Sequence, residues 1–126
     1  MLITIFTLTI LGWFGFKQFG NQDLKEYQLT YVQFKKIVDE GNHLIIDVRT
    51  SSEFKSDHVP NAINANVLDA VVFDQEIKKV DKSKPVYIYC RSGRRSQTAY
   101  KRMQRMGFKE IYEFPGGYSG WKSNQE

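Results

Sequence analysis

Residues 85–90, PVYIYC, constrain the fold more than any other stretch of this chain. The run carries no charge and is rich in β-branched and aromatic residues. It reads as a strand covered on both faces, as in the middle of a parallel sheet. A glycine- and arginine-rich loop follows at once. After it, Ala99, Tyr100, Met103 and Met106 share one face of a helix predicted over 96–106. The same alternation runs through the chain from Tyr27 onward. Residues 27–29 read as a short strand. Thr30 then caps a helix with Tyr31, Phe34, Ile37 and Val38 on its apolar face, stopped by Gly41. Residues 44–48 form a β-rich run, and Thr50 with Glu53 makes a capping box that opens a short helix. Residues 62–65 are a weaker strand, 67–80 hold at least one helical turn, 110–114 are a strand and 115–117 a turn. Such alternation predicts the α/β class: three layers, with a central parallel five-stranded sheet flanked by helices, over residues 27–123.

Cys90 is the only cysteine. An internal disulfide framework, a Cys-x-x-Cys exchange and a Cys-rich zinc site are therefore excluded. Two histidines, His43 and His58, are too few for a His-based metal cluster, and no metal or organic cofactor is expected. In open parallel sheets ligands bind beyond the carboxyl ends of strands, where Cys90 lies. Backbone N–H groups at the start of the following helix point into the loop, and the helix dipole adds positive potential there. Arg91, Arg94 and Arg95 add three cations. All of this favours thiolate over thiol. Gly93 permits a left-handed turn and a close approach of backbone to ligand. The loop is thus predicted to hold a nucleophile and an oxyanion. An inert core cysteine is the plainer alternative; the glycine and three arginines directly after it speak against that.

Three further motifs keep order with CRSGRRS at 90–96. They are Asp47-Val-Arg49 with Glu53-Phe54, Asp57-His-Val-Pro-Asn-Ala62 with Asn64, and Gly116-Gly-Tyr-Ser-Gly-Trp121. Together, over about residues 27–123, they resemble the single-domain rhodaneses, sulfurtransferases acting on thiosulfate and persulfides. The resemblance implies that Cys90 attacks the outer sulfur of a small anionic donor and carries it as a persulfide to a thiol or cyanide acceptor. It implies binding by Arg91, Ser92, Gly93, Arg94 and Arg95, with Arg91 and Arg95 in oxyanion contact and Arg94 at a variable position. Two residues depart from the family pattern: Asp57 and Asn61 stand where glycine is usual. Both residue types tolerate positive φ.

The remaining motif residues have structural readings. Asp47 and Arg49 at a strand end tie loops by charge-assisted hydrogen bonds, with Arg49 the one placed to feel the substrate. His58 precedes an extended Val-Pro turn and reads as a hydrogen-bonded structural histidine rather than a base. Trp121 reads as a core plug under the last helix. Two rival functions are open at this stage. One is a binding or sensing module without turnover. The other is a phosphatase or arsenate reductase, disfavoured because four residues separate Cys90 from Arg95 where the related phosphatases have five.

The first 16 residues, MLITIFTLTILGWFGF, hold 11 hydrophobic side chains and no charge; all 18 Lys and Arg and all 14 Asp and Glu lie beyond them. A helix of that length spans about 24 Å, short of a ~30 Å hydrocarbon core. It extends to Gly20 if Lys17 snorkels, with Trp13, Phe14, Phe16 and Phe19 as an interfacial belt. No basic residue precedes the run and no small-x-small site follows it, so a cleaved signal fits less well. The expectation is one N-terminal transmembrane helix over 1–20 inserted in the lipid bilayer, a linker over 21–26, and a domain facing the cytoplasm because Lys17, Lys25, Lys35 and Lys36 follow the run. Seven basic residues and no acid lie in 90–109. Three belong to the thiol loop, which argues against a nucleic-acid surface and for steering of anionic donors or contact with anionic lipid.

Overall fold

A computed structural model describes residues 27–126. The expected membrane helix at 1–20 and the linker at 21–26 lie outside this range. Among the described residues no helix is long and apolar enough to cross a membrane.

Four parallel strands form one sheet: β1 (Leu44–Asp47), β2 (Ile63–Asn64), β3 (Val86–Tyr89) and β4 (Ile111–Glu113), in the order β2-β1-β3-β4. Ile46 of β1 lies opposite Ile63 and Ile88, and Ile88 lies opposite Glu113. Five helices complete the domain: α1 (Tyr31–Glu40), α2 (Ser51–Ser56), α3 (Ala70–Ile77), α4 (Arg94–Arg105) and α5 (Gly117–Gln125). Side chains alternate along each strand and so serve two cores. Ile46, Val48, Val86, Ile88 and Cys90 meet Phe73 and Ile77 of α3 and Ala99, Tyr100 and Met103 of α4. Ile45, Tyr87 and Tyr89 meet Phe34 and Val38 of α1 and Trp121 of α5. The result is the three-layer α/β fold that the alternation of apolar runs implies.

The sheet has four strands, not five. Of the first expected strand only Gln28 pairs, in a single bridge to Glu113, with Leu29 N–H donating to the Glu113 carbonyl at 2.8 Å. Thr30 explains the truncation. Its side chain accepts from Gln33 N–H while Gln33 caps Thr30 in return, so α1 starts before the strand can lengthen. The strand expected at 62–65 is reduced to two residues, although Ala65 and Val67 still donate to the carbonyls of Asp47 and Val48. The helix within 67–80 runs from Ala70 to Ile77 and is capped by Asp69. The expected turn at 115–117 passes directly into α5.

Candidate active site

The strand order reverses direction between β1 and β3, and the loops leaving these two strands face each other at the carboxyl edge of the sheet. One loop carries Arg49, the other Cys90 through Gly93. α4 begins at Arg94, two residues earlier than the apolar spacing suggests, so Arg94 and Arg95 stand in its first turn. Gly93 is its N-cap at φ 96°, and a Cβ there would lie 2.7 Å from the Pro115 carbonyl oxygen. Glycine is required at this point both by the left-handed backbone and by the space.

Cys90 is 1% exposed beneath the loop, while Arg91, Ser92 and Arg94 are exposed around it. Gly93 N–H donates to the sulfur at 3.0 Å, and Ser96 Oγ lies 3.5 Å from it. Burial pushes the thiol pKa up. The Ser96 hydroxyl and the N–H groups of Ser96, Ser92 and Gly93 outweigh it, and the net direction is down. The loop thus stabilises the thiolate with hydrogen bonds, in addition to the positive helix end.

The three loop arginines have different environments. Arg95 makes a two-pronged pair with Glu53, Nη1 to Oε1 at 2.6 Å and Nη2 to Oε2 at 3.0 Å. It ties α4 to the capping box of α2. Arg91 and Arg94 have no ion-pair partner among the described residues. Arg91 lines an open cleft of about 440 Å³ beside the loop, together with Arg49, Glu53, Asp57, Tyr118 and Lys122. Cationic charge not already neutralised by a carboxylate therefore comes from Arg91 and Arg94.

The Arg95–Glu53 pair carries a pH signature. The guanidinium holds the Glu53 carboxyl at about 2, against burial, with help from Thr50. A carboxyl depressed in the folded state stabilises the fold above its unfolded pKa, near 4.5, and that contribution disappears as pH falls through about 2. Glu53→Gln is expected to flatten the stability profile between those two values, as measured by urea unfolding at successive pH. An unchanged acid limb would count against the pair.

Asp47 is fully buried and Arg49 is 3% exposed. Arg49 Nε donates to both Asp47 oxygens at 3.0 Å, and Nη2 donates to Oδ2 at 2.7 Å and to the Asp57 carbonyl at 2.6 Å. Tyr89 O–H donates to Asp47 Oδ2 at 2.6 Å, and Asn64 Nδ2 donates to the carbonyls of both Asp47 and Arg49. The guanidinium lies 4.4 Å from the centre of the Tyr118 ring. Burial works against the Arg49 charge, but the Asp47 carboxylate outweighs it, so the pKa rises. The pair braces two loops and still reaches the cleft.

His58 Nδ1 lies 2.8 Å from the Phe54 carbonyl at the end of α2, and its ring stacks on Phe54 at 3.8 Å. Trp121 is 7% exposed, 5.8 Å from the rings of Tyr31 and Phe34. Asn61 takes φ 66°, as a residue replacing glycine must. Asp57 does not. At φ −169° it is extended, and its side chain accepts from His58 N–H and Tyr118 O–H. Carboxylate hydrogen bonding, not backbone freedom, accounts for aspartate there. Among the described residues no three His, Cys, Asp or Glu side chains stand together as a metal site needs.

Sequence reasoning did not single out Ser96, Tyr118 or Glu113 for the site, nor Glu53 as the partner of Arg95. Ser96, Glu53 and Tyr118 each stand inside one of the four motifs, whereas Glu113 has no signal of its own. The contacts themselves join residues 17 to 61 positions apart, counting from Ser96 to Glu113 and from Asp57 to Tyr118, and leave no local pattern.

Comparison with known proteins agrees with this geometry. The family profile described as "Rhodanese-like domain" matches residues 30–124. The thiosulfate sulfurtransferase GlpE of Coxiella burnetii is 31% identical over 97 residues, covering 77% of this chain and 88% of that protein. A putative sulfur carrier protein, YrkF of Bacillus subtilis, is 28% identical over 100 residues, covering 79% of this chain and 52% of its own length. The human single-domain sulfurtransferase TSTD1 superposes with a TM-score of 0.67 at 17% identity, over 79% of this chain and 98% of that one. With the thiol loop, the switch-point cleft and the matched profile in agreement, the chain belongs to the rhodanese-like domain family.

Proposed function

We propose that this protein is a rhodanese-type sulfurtransferase that moves sulfane sulfur from thiosulfate or a persulfide donor to a thiol or cyanide acceptor through Cys90. The observation that carries the reading is the Cys90 sulfur held by Gly93 N–H at 3.0 Å at the head of α4, with its pKa lowered by hydrogen bonds. In the first step the thiolate attacks the outer sulfur of the donor. A new S–S bond forms, the donor's own S–S bond breaks, and sulfite (from thiosulfate) or a thiolate (from a persulfide) leaves with the electron pair. In the second step an acceptor thiolate or cyanide attacks the terminal sulfur, and Cys90 leaves as thiolate. Neither step needs a general acid, since each leaving group is a stable anion. Loop N–H groups and the unpaired cations of Arg91 and Arg94 receive the donor's negative charge. Arg95 acts at one remove, by fixing the start of α4 through Glu53. The short span between Cys90 and Arg95 suits a sulfane sulfur better than a phosphate tetrahedron. The names of the thiosulfate sulfurtransferase relatives support the same chemistry.

The test uses the full chain. Incubation with thiosulfate is expected to add the mass of one sulfur, removable by reductant, and cyanide is expected to release thiocyanate catalytically. Cys90→Ser gains nothing and turns nothing over. A wild-type protein that never takes up sulfur overturns the reading and leaves a binding module in its place.

A further inference from the structure

Among the described residues Glu113 is, with Asp47, one of two fully buried acidic side chains, and unlike Asp47 it has no cation beside it. It is 0% exposed on β4 and faces the α4 side of the sheet, as Cys90 does. Its Oε1 accepts from Gln28 Nε2 at 3.0 Å, and its Oε2 lies 2.6 Å from Ser96 Oγ. Ser96, itself 0% exposed, is the hydroxyl that also touches the Cys90 sulfur at 3.5 Å. Three polar groups thus form an unbroken chain, Sγ to Oγ to Oε2, closed off from water. Among the described residues no Lys, Arg or His nitrogen lies within ion-pair reach of Glu113. The other titratable groups facing it are phenols, Tyr100 on α4 and Tyr27 beyond it.

With one proton held between thiol and carboxyl, the single Ser96 hydroxyl hydrogen leaves two fully hydrogen-bonded arrangements. In one, the Cys90 thiol donates to Ser96 and Ser96 donates to the Glu113 carboxylate. In the other, the Glu113 carboxylic acid donates to Ser96 and Ser96 donates to the Cys90 thiolate. Ser96 cannot serve a thiolate and a carboxylate together. We infer that Glu113 is the proton partner of Cys90, taking the thiol proton through Ser96 when the nucleophile ionises and returning it when the thiol is restored. The transfer balances: one S–H bond breaks, one carboxyl O–H bond forms, the Ser96 proton is passed on and replaced, and net charge is unchanged. Glu113 is on this account a positioning residue that acts through Ser96, and it couples formation of the nucleophile to a buried store for one proton. In a site where the sulfur is 1% exposed, an internal acceptor spares the proton a path to water. The inference rests on Cys90 as the nucleophile of the proposed reaction, but it is tested without sulfur transfer, so the two can fail separately.

Two groups sharing a proton titrate as a pair, in two macroscopic steps. In the full-length wild-type protein, thiolate followed by its ultraviolet absorbance is expected to rise in two steps with a plateau between them. A protonated-carboxyl band in the infrared is expected to persist on that plateau, beside the thiolate, and to disappear in the second step. Glu113→Gln keeps a donor for Ser96 and the contact to Gln28, and so imitates the protonated acid. It is expected to lose both the band and the plateau, and the thiolate then forms in one step. Should the carboxyl band vanish from wild type before any thiolate appears, or should wild type and Glu113→Gln show the same single-step titration, the inference is overturned. The wild-type measurement stands alone if the variant fails to fold.

Discussion

Gly117→Ala is expected to unseat α5 from the thiol loop and to abolish sulfur loading, although Cys90 is untouched. Gly117 sits at φ 61°, and a Cβ there would lie 2.4 Å from the Arg91 carbonyl oxygen and 2.6 Å from that of Cys90. Both obstacles are backbone, so no side chain can swing aside. The close approach exists because Tyr118 N–H donates to the Cys90 carbonyl at 2.7 Å and Ser119 N–H to the Arg91 carbonyl at 3.1 Å. Alanine pays for a left-handed backbone and also pushes these bonds apart. Together the two effects are expected to cost roughly 2–4 kcal/mol. Urea unfolding measures the loss of stability. Intact mass after thiosulfate measures the loss of loading. A folded variant that loads sulfur at the wild-type rate would show that the α5 contact does not shape the loop.

The second large effect is expected from Asp47→Ala. The substitution leaves the Arg49 guanidinium buried at 3% exposure with no carboxylate, and removes the acceptor of the Tyr89 hydroxyl. Breaking one side of a buried ion pair costs about 3–5 kcal/mol. That is a large part of the ~5–15 kcal/mol that holds a domain together. Asp47→Asn keeps one acceptor oxygen, enough for either the Tyr89 hydroxyl or the Arg49 backbone N–H, and should be the milder change. The Tyr89 phenol, driven strongly upward first by burial and then by the Asp47 charge, is expected to fall back toward its ordinary value in either variant. An Asp47→Ala protein within about 1 kcal/mol of wild type by urea unfolding would contradict the bracing role.

Local features of the chain were legible at once. Thr30 and Thr50 are N-caps because their hydroxyls meet N–H groups three residues on, a contact internal to each helix start. The clearest run, at 85–90, became the strand ending next to Cys90 because four consecutive buried residues allow no other cover. The truncation of the strand expected at 27–29 was not legible. Whether residues 27–29 pair is decided by competition between the Thr30 cap and β4, and β4 is 85 positions away at the Gln28–Glu113 contact. Asp57 was misread for a related reason. Its extended backbone follows from Tyr118 and His58, which reach it across a loop.

The candidate site divides in the same way. Cys90, the glycine turn at Gly93 and the positive helix start are consecutive in the chain, and their consequence for a thiol follows from chemistry that acts over a few ångströms. Composition and order alone therefore singled out Cys90 and its loop, on which the proposed function rests. They did not by themselves distinguish among the three arginines, since each is a cation within a few residues of the sulfur; the family resemblance put Arg91 and Arg95, not Arg94, in oxyanion contact, with no sign that Arg95 pairs with Glu53. Only the folded chain brings Glu53 to Arg95 and leaves Arg91 and Arg94 without a carboxylate among the described residues, because α2 and α4 meet at the carboxyl edge of the sheet. Only the fold, likewise, puts Glu113 behind Ser96. Parallel pairing of β3 with β4 aligns Ile88 with Glu113, and side-chain alternation turns that carboxyl to the α4 side, where Ser96 and Cys90 wait. What one segment does to its own neighbours was written in the sequence; which carboxylate meets which cation or hydroxyl was settled by long-range packing.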